Sequence, residues 1–222
     1  MCFIVVEGVD GSGKTEVSKR LAHRLQAQIG AENALWTYEP HNDMCGGEFI
    51  RQALRHEVKV SDRTLLLAYA ANREDHLYRV ILPFLGKFDK FDKLSKLGVS
   101  DTTDKVVICD RYYLSSLVYQ STDNIAMEEV MSVNRQALQP DLTLFFDVNL
   151  DNARQRRHHR GGNEELFDSR MEMMRAKYEQ AIRFLQKKGE NIVRIDANAH
   201  IDIVVASALE TINKIRLALQ TN

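Results

Sequence analysis

Only three cysteines occur in 222 residues: Cys2, Cys45 and Cys109. Their spacing matches no metal-ligand pattern, and an odd count closes no disulfide set, so reduced thiols in a cytosolic enzyme are expected. No apolar run approaches the roughly 18–20 residues that cross a bilayer. An excess of one charge sign is also lacking. Thirty basic against 31 acidic side chains leave a net charge of -1, which argues against a broad nucleic-acid footprint and leaves room only for a local basic cluster. What remains is ordinary globular composition, 44% hydrophobic and 27% charged, at a length that suits one large α/β domain. The chain enters a strand-like run at once, Met1-Cys2-Phe3-Ile4-Val5-Val6. No signal or transit peptide and no membrane association are therefore expected, and the expected location is cytoplasmic.

Strand and helix signals alternate along the chain. Apolar runs at Cys2 to Glu7, Ala34 to Tyr38, Val106 to Cys109, Leu142 to Val148 and Ile192 to Ile195 predict five strands. They lack alternation, as strands do when both faces of a parallel sheet are covered. Val17, Leu21, Leu25 and Ile29 recur at helical spacing. Gly47 to His56 reads as a helix, and Ser61 to about Leu85 as a longer one with Ser61 or Asp62 as its N-cap. The pattern predicts a parallel sheet flanked by helices, with no domain linker. Gly86 to Asp104 stands apart as a polar segment with an internal repeat, Phe88-Asp89-Lys90 and Phe91-Asp92-Lys93. It reads first as a solvated surface loop. Phe88, Phe91, Leu94 and Leu97 at helical spacing leave a partner or subunit contact as the alternative.

Gly8-Val9-Asp10-Gly11-Ser12-Gly13-Lys14-Thr15 fits G-x-x-x-x-G-K-[ST] in full, after a strand and at the opening of a helix. In such a loop the glycines let backbone N–H groups turn inward onto phosphate oxygens, and the helix N-terminus adds partial positive charge. Lys14 is placed to reach the β- and γ-phosphates and Thr15 to ligate Mg²⁺. Asp10 beside a polyphosphate needs an offsetting role, toward a substrate hydroxyl or a metal, unless it is a solvent-facing turn residue. Asp110 ends a predicted buried strand, the edge that faces the ligand crevice of a parallel sheet. That suits a carboxylate holding Mg²⁺ opposite Thr15, directly or through water. Arg111 follows, and its guanidinium fork matches the phosphate of an acceptor.

These residues resemble the thymidylate kinase family of P-loop nucleoside-monophosphate kinases. Beyond the P-loop with its acidic residue, Thr37-Tyr38-Glu39-Pro40 is similar to T-R-E-P, and Gly47-Glu48-Phe49-Ile50-Arg51 to G-E-x-I-R. Tyr69-Ala70-Ala71-Asn72-Arg73 resembles F-A-A-x-R, and Asp110-Arg111-Tyr112 with Ser115, Ser116, Tyr119 and Gln120 resembles the D-R-Y…S…Y-Q block. Pro140 to Val148 is similar to the family's fourth strand. Each short match is weak except the P-loop; six in the family's order are specific. The resemblance implies a three-layer P-loop NTPase fold: a five-stranded parallel sheet flanked by helices, with a mobile lid. It implies one domain over 1–222, a lid at about 154–168 and an atypical insertion at about 86–104. It implies transfer of the ATP γ-phosphoryl group to dTMP, giving dTDP for dTTP synthesis, in a homodimer. Asp10 would contact the sugar 3′-hydroxyl, Arg51 and Arg111 the dTMP phosphate, and Tyr69 would stack on thymine. Arg73 would hydrogen-bond a base carbonyl, a solvated helix arginine being its plain alternative. Ser116 and Gln120 would contact the base edge.

Arg154-Gln155-Arg156-Arg157-His158-His159-Arg160-Gly161 lies where the family carries its lid. Gly11 stands where one branch of the family has a P-loop arginine. A lid arginine is therefore the expected catalytic one, Arg156 or Arg160 ahead of Arg157, because arginines neutralise the charge that spreads over the moving phosphoryl oxygens. His158 and His159 have no companion spacing for a metal. Phe167-Asp168 corresponds loosely to an aromatic-acid pair closing the lid. Two departures stand out: Tyr38 replaces the arginine of T-R-E-P, and Leu166 occupies a position where a second lid arginine is common. The alternatives are a kinase for another nucleoside monophosphate and a P-loop switch protein. The switch signatures N-K-x-D and D-x-x-G are missing, since Asp110 is followed by Arg111, Tyr112 and Tyr113.

Overall fold

A strand that is apolar on both faces must be covered on both, and β1 (Cys2–Gly8) is buried along its whole length. The computed structural model describes residues 1–87, 104–158 and 164–220, so most of the polar Gly86 to Asp104 segment lies outside the described residues. β1 is followed by α1 (Lys14–Ile29), β2 (Ala34–Tyr38), α2 (Gly47–Leu54), α3 (Asp62–His76) and α4 (Leu82–Leu85). Then come β3 (Val106–Asp110), α5 (Tyr113–Tyr119), α6 (Met127–Val133) and β4 (Leu142–Asp147). The chain continues through α7 (Leu150–His158), α8 (Glu164–Gln186), β5 (Ile192–Asp196) and α9 (Ile201–Gln220). Among the described residues no helix is long and apolar enough to cross a membrane.

The five strands pair in the order β2-β3-β1-β4-β5, every pair parallel. All five expected strands are present, each within a residue of its sequence-based bounds. The register sets Asp110 beside Val6 of β1 and beside Tyr38 of β2. The order reverses at β1, and the carboxyl edge on either side of such a switch point is where α/β sheets take ligands. On α1, Val17, Leu21 and Leu25 face the core, 0–2% exposed, while Ile29, the last residue of the helix, is only partly buried. Truncating Leu25 to Ala would cost about 2–5 kcal/mol.

Two helix boundaries differ from expectation. The helix from Gly47 stops at Leu54 rather than His56, because His56 adopts a positive φ of 59° that an α-helix cannot contain. The long helix from Ser61 begins as expected, with Ser61 Oγ accepting the Thr64 N–H at 3.1 Å. It is not α-helical throughout. A π turn, Leu77–Ile81, separates α3 from α4, and the Leu82 N–H reaches back five residues to Leu77. Pro83 explains this: it has no N–H, and its ring would crowd the carbonyl four residues earlier in a regular α-helix, so the preceding turn widens.

Candidate active site

At two glycines of the phosphate loop, Gly8 and Gly11, an added Cβ would press on backbone. Gly11 has φ +85°, and a Cβ there would lie 2.9 Å from the Ala153 carbonyl oxygen on α7. That close approach explains why the loop carries no arginine at this point. Gly13, in the left-handed region, opens α1. Lys14 folds back inside the loop, its Nζ 3.5 Å from the Val9 carbonyl and 3.7 Å from Asp10 Oδ1. Burial, reinforced by the Arg111 cation, lowers its pKa to about 8 despite Asp10, Asp110 and Glu7.

Thr15 Oγ1 donates to Asp110 Oδ2 at 2.5 Å, joining α1 to the end of β3. The other oxygen, Asp110 Oδ1, is buried and has no hydrogen-bond partner among the described residues. A buried carboxylate oxygen without a donor is costly unless a ligand fills the need. A hydroxyl and a free carboxylate oxygen at a phosphate loop are the hard oxygen donors that Mg²⁺ takes, directly or through its waters.

Arg111 turns the chain back with φ 72°. Its Nη2 donates to Asp10 Oδ1 at 2.9 Å and its Nη1 to Ser115 Oγ at 3.1 Å, while its guanidinium lies over the Tyr119 ring. The turn is secured by Glu7, a residue the sequence reading passed over. Glu7 Oε1 accepts the backbone N–H groups of Tyr112 and Ser115 at 2.9 and 3.0 Å, and Oε2 accepts the Ser115 hydroxyl at 2.6 Å. A carboxylate from β1 thus caps α5, which has no side-chain cap of its own. Full burial pushes the Glu7 carboxyl up, opposed by Arg111 and these hydrogen bonds.

Two cavities meet at this edge. One, about 810 Å³, is lined by Arg51, Tyr69, Arg73, Ser116 and Gln120, the residues expected to hold the acceptor. The other, about 520 Å³, lies along the phosphate loop and is bordered by Arg156. Asp10, Thr15, Arg111, Tyr119 and Arg170 line both.

Arg73 is not a solvated helix arginine; it is 2% exposed. Its Nε donates to Glu39 Oε2 at 2.8 Å, its Nη2 to Ser116 Oγ at 3.1 Å and its Nη1 to Asn134, over the face of Tyr112. Gln120 is buried, its Oε1 unpartnered among the described residues. Arg51 is half-buried and anchored to Asn42 Oδ1 at 2.9 Å and to the Pro40 carbonyl at 3.2 Å. Tyr38, in place of an arginine, stacks between Trp36 and His41 with centroids 5.4 and 4.9 Å away. Lys19 sits over Trp36 and lines the same cavity, so this wall has a cation from α1 where the family pattern has one from the strand.

Of the arginines expected in a lid, Arg156 lies across the phosphate loop, donating to the carbonyls of Gly11 and Ser12 at 3.4 Å and of Ala197 at 2.8 Å. Arg160 lies outside the described residues, as do the side chains of Arg157, Phe167 and Asp168. Arg170 was missed by the sequence reading. It stands about one helical turn beyond Leu166, and only the course of α8 brings it to the cavities.

The sequence matches the family described as thymidylate kinase over residues 6–208. The chain belongs to the thymidylate kinase family. It is 31% identical over 212 residues to a thymidylate kinase of Leptospira interrogans, covering 94% of this chain and 92% of that protein. It is 33% identical over 223 residues to one of Ligilactobacillus salivarius, covering 95% and 97%. A probable thymidylate kinase of Methanocaldococcus jannaschii is 36% identical over 154 residues, 69% of this chain and 68% of that one. The crystal structure of the Ehrlichia chaffeensis thymidylate kinase shares the fold, with TM-score 0.66 at 24% identity over 96% of this chain and 98% of that chain. Thymidylate kinase family membership makes the chain a nucleoside-monophosphate kinase, a transferase that uses ATP.

Proposed function

We propose that this chain transfers the γ-phosphoryl group of ATP to dTMP, giving ADP and dTDP. The observation that carries this reading is the wall shared by the two cavities. Asp10, Thr15 and Arg111 border both, so a donor triphosphate and an acceptor monophosphate would meet at these side chains. A dTMP phosphate oxygen attacks the γ-phosphorus, the new P–O bond forms as the bond to the β-phosphate bridging oxygen breaks, and ADP leaves. No covalent enzyme intermediate is required; positioning and charge neutralisation do the work.

Lys14 and the loop N–H groups of Gly8 to Thr15 hold the ATP phosphates. Arg111 holds the dTMP phosphate together with Arg51. Asp10, with its side chain 72% exposed and tethered by Arg111, is free on its outer face for the sugar 3′-hydroxyl. Tyr69 stacks on the base, and Arg73, Ser116 and Gln120 address its edge; the unpartnered Gln120 Oε1 is an acceptor suited to the thymine N3–H. Thr15 and Asp110 would hold Mg²⁺, which when bound supplies charge neutralisation between phosphates. Arg156 or Arg160 closes over the transferring group from the lid at about 154–168. A single domain with an insertion at about 86–104, homodimerisation and a cytoplasmic location belong to the same reading, on family resemblance.

The test is ATP-dependent turnover with dTMP, dUMP, dCMP, dGMP and AMP, with both products quantified. Matched ADP and dTDP, far above the other acceptors, is the expected result. ADP without a diphosphate product, or preference for a purine acceptor, overturns the reading.

A further inference from the structure

Arg73 is a buried cation, and buried cations need a held counter-charge. Glu39 supplies it, and Glu39 is itself held from behind. Its Oε2 takes the Arg73 Nε–H, and its Oε1 lies 3.1 Å from His76 Nδ1. The far side of that ring meets Thr37 Oγ1 at 2.7 Å. A carboxylate only accepts, so Nδ1 carries the proton toward Glu39, and Nε2 shares the second hydrogen bond with the Thr37 hydroxyl. His76 is 0% exposed, Thr37 4% and Glu39 5%. The chain of contacts runs from β2 (Thr37) through α3 (His76) and back to the β2 exit (Glu39), and only then to Arg73. Cys109 completes a buried cluster with Glu39 and His76, but its thiol is engaged with the Arg111 carbonyl and the other two are engaged with each other. The cluster is therefore a hydrogen-bonded support rather than an open ligand set.

Of the five guanidinium N–H groups of Arg73, three are tied among the described residues, to Glu39, Ser116 and Asn134. The remainder are those available to a ligand in the cavity that Arg73 lines. Their direction depends on where Glu39 holds the Nε edge.

We propose that Thr37 and His76 are positioning residues for nucleobase recognition: they orient Glu39, which presents Arg73 to the acceptor base. Neither lines the cavity, and their hydrogen bonds lead to it through Glu39. This inference rests on the reading of that cavity as the dTMP site.

The experiment measures kcat and the KM for dTMP and for ATP in the wild type, His76→Leu, His76→Gln and Thr37→Val, with thermal melting of each. Losing one buried hydrogen bond of this kind corresponds to roughly a three- to tenfold effect. His76→Leu is expected to raise the dTMP KM about tenfold and Thr37→Val about threefold, while kcat and the ATP KM stay within about twofold. His76→Gln, which keeps a donor and an acceptor on a planar group, is expected to recover most of the loss. An unchanged dTMP KM in His76→Leu overturns the proposal, as do parallel losses for both substrates that follow the melting temperature. Should His76→Leu not fold, the near-isosteric Thr37→Val decides alone, and an unchanged dTMP KM in it is equally fatal. A wild type that does not phosphorylate dTMP overturns the underlying reading and this inference with it. An active wild type with indifferent variants overturns this inference only.

Discussion

Asp110 divides its carboxylate between two tasks: one oxygen accepts the Thr15 hydroxyl at 2.5 Å, and the other is buried without a partner among the described residues. A free acceptor in that place, opposite the phosphate loop, matches a metal or its water. Asp110→Asn retains the shape and replaces the anion with an amide. The expected outcome is a loss of about 10–100-fold in kcat/KM that is partly recovered at high Mg²⁺, as for groups that orient a metal and its water. A Mg²⁺ titration of activity checks it, and an unchanged half-saturating Mg²⁺ would remove Asp110 from that role.

Lys14 supplies the pH dependence. With its pKa lowered to about 8 in the ligand-free protein, the ammonium is lost as pH rises through that value, and with it the attraction for phosphate. The dissociation constant for ATP is expected to rise between about pH 8 and pH 10, and bound nucleotide to draw the pKa back up. The stability effect has the opposite sense. Between the folded value near 8 and the ordinary 10.5, the unfolded chain binds more protons, so this group makes the fold more stable as pH increases. Calorimetric ATP titrations at several pH values would show the first trend; ATP affinity flat across that range contradicts it.

Gly11 combines a positive φ with a close approach to Ala153. Gly11→Ala would push the new methyl into the Ala153 carbonyl and strain the backbone, at about 1–3 kcal/mol. Lower melting temperature and weaker ATP binding are expected together. A variant as stable as the wild type would show that α7 yields easily at this contact.

Gln120 presents a case where ligand-free stability and function should part. Its Oε1 is buried and unsatisfied among the described residues, so Gln120→Leu removes an unpaired polar atom from the ligand-free protein and is expected to leave its melting temperature unchanged or higher. The same change removes an acceptor for the base and is expected to raise the dTMP KM roughly tenfold, with the ATP KM unaffected. Equal dTMP kinetics in wild type and variant would place the base elsewhere.

Much of the scaffold was legible because its determinants are local. The bounds of β2 at Ala34–Tyr38, the Ser61 cap and the buried face of α1 follow from neighbours within a turn or a strand. The π turn before Pro83 was less legible, since a proline within an apolar helical pattern can also end or kink the helix. Arg73 shows the limit more sharply. Its partners Glu39, Ser116 and Asn134 lie 34, 43 and 61 residues away in the chain, and no periodicity connects them.

The sequence by itself determined the phosphate loop, the parallel α/β frame and the family, because each rests on residue types at short fixed spacings. The tertiary structure alone decided that Glu7 caps α5, that Arg170 reaches both cavities, and that Arg73 is a buried, anchored cation rather than a surface one. The physical reason is that burial and charge pairing depend on which strand ends and helix turns the fold brings within about 3 Å, the reach of a hydrogen bond. That proximity is set by packing across the whole sheet, not by neighbours along the chain.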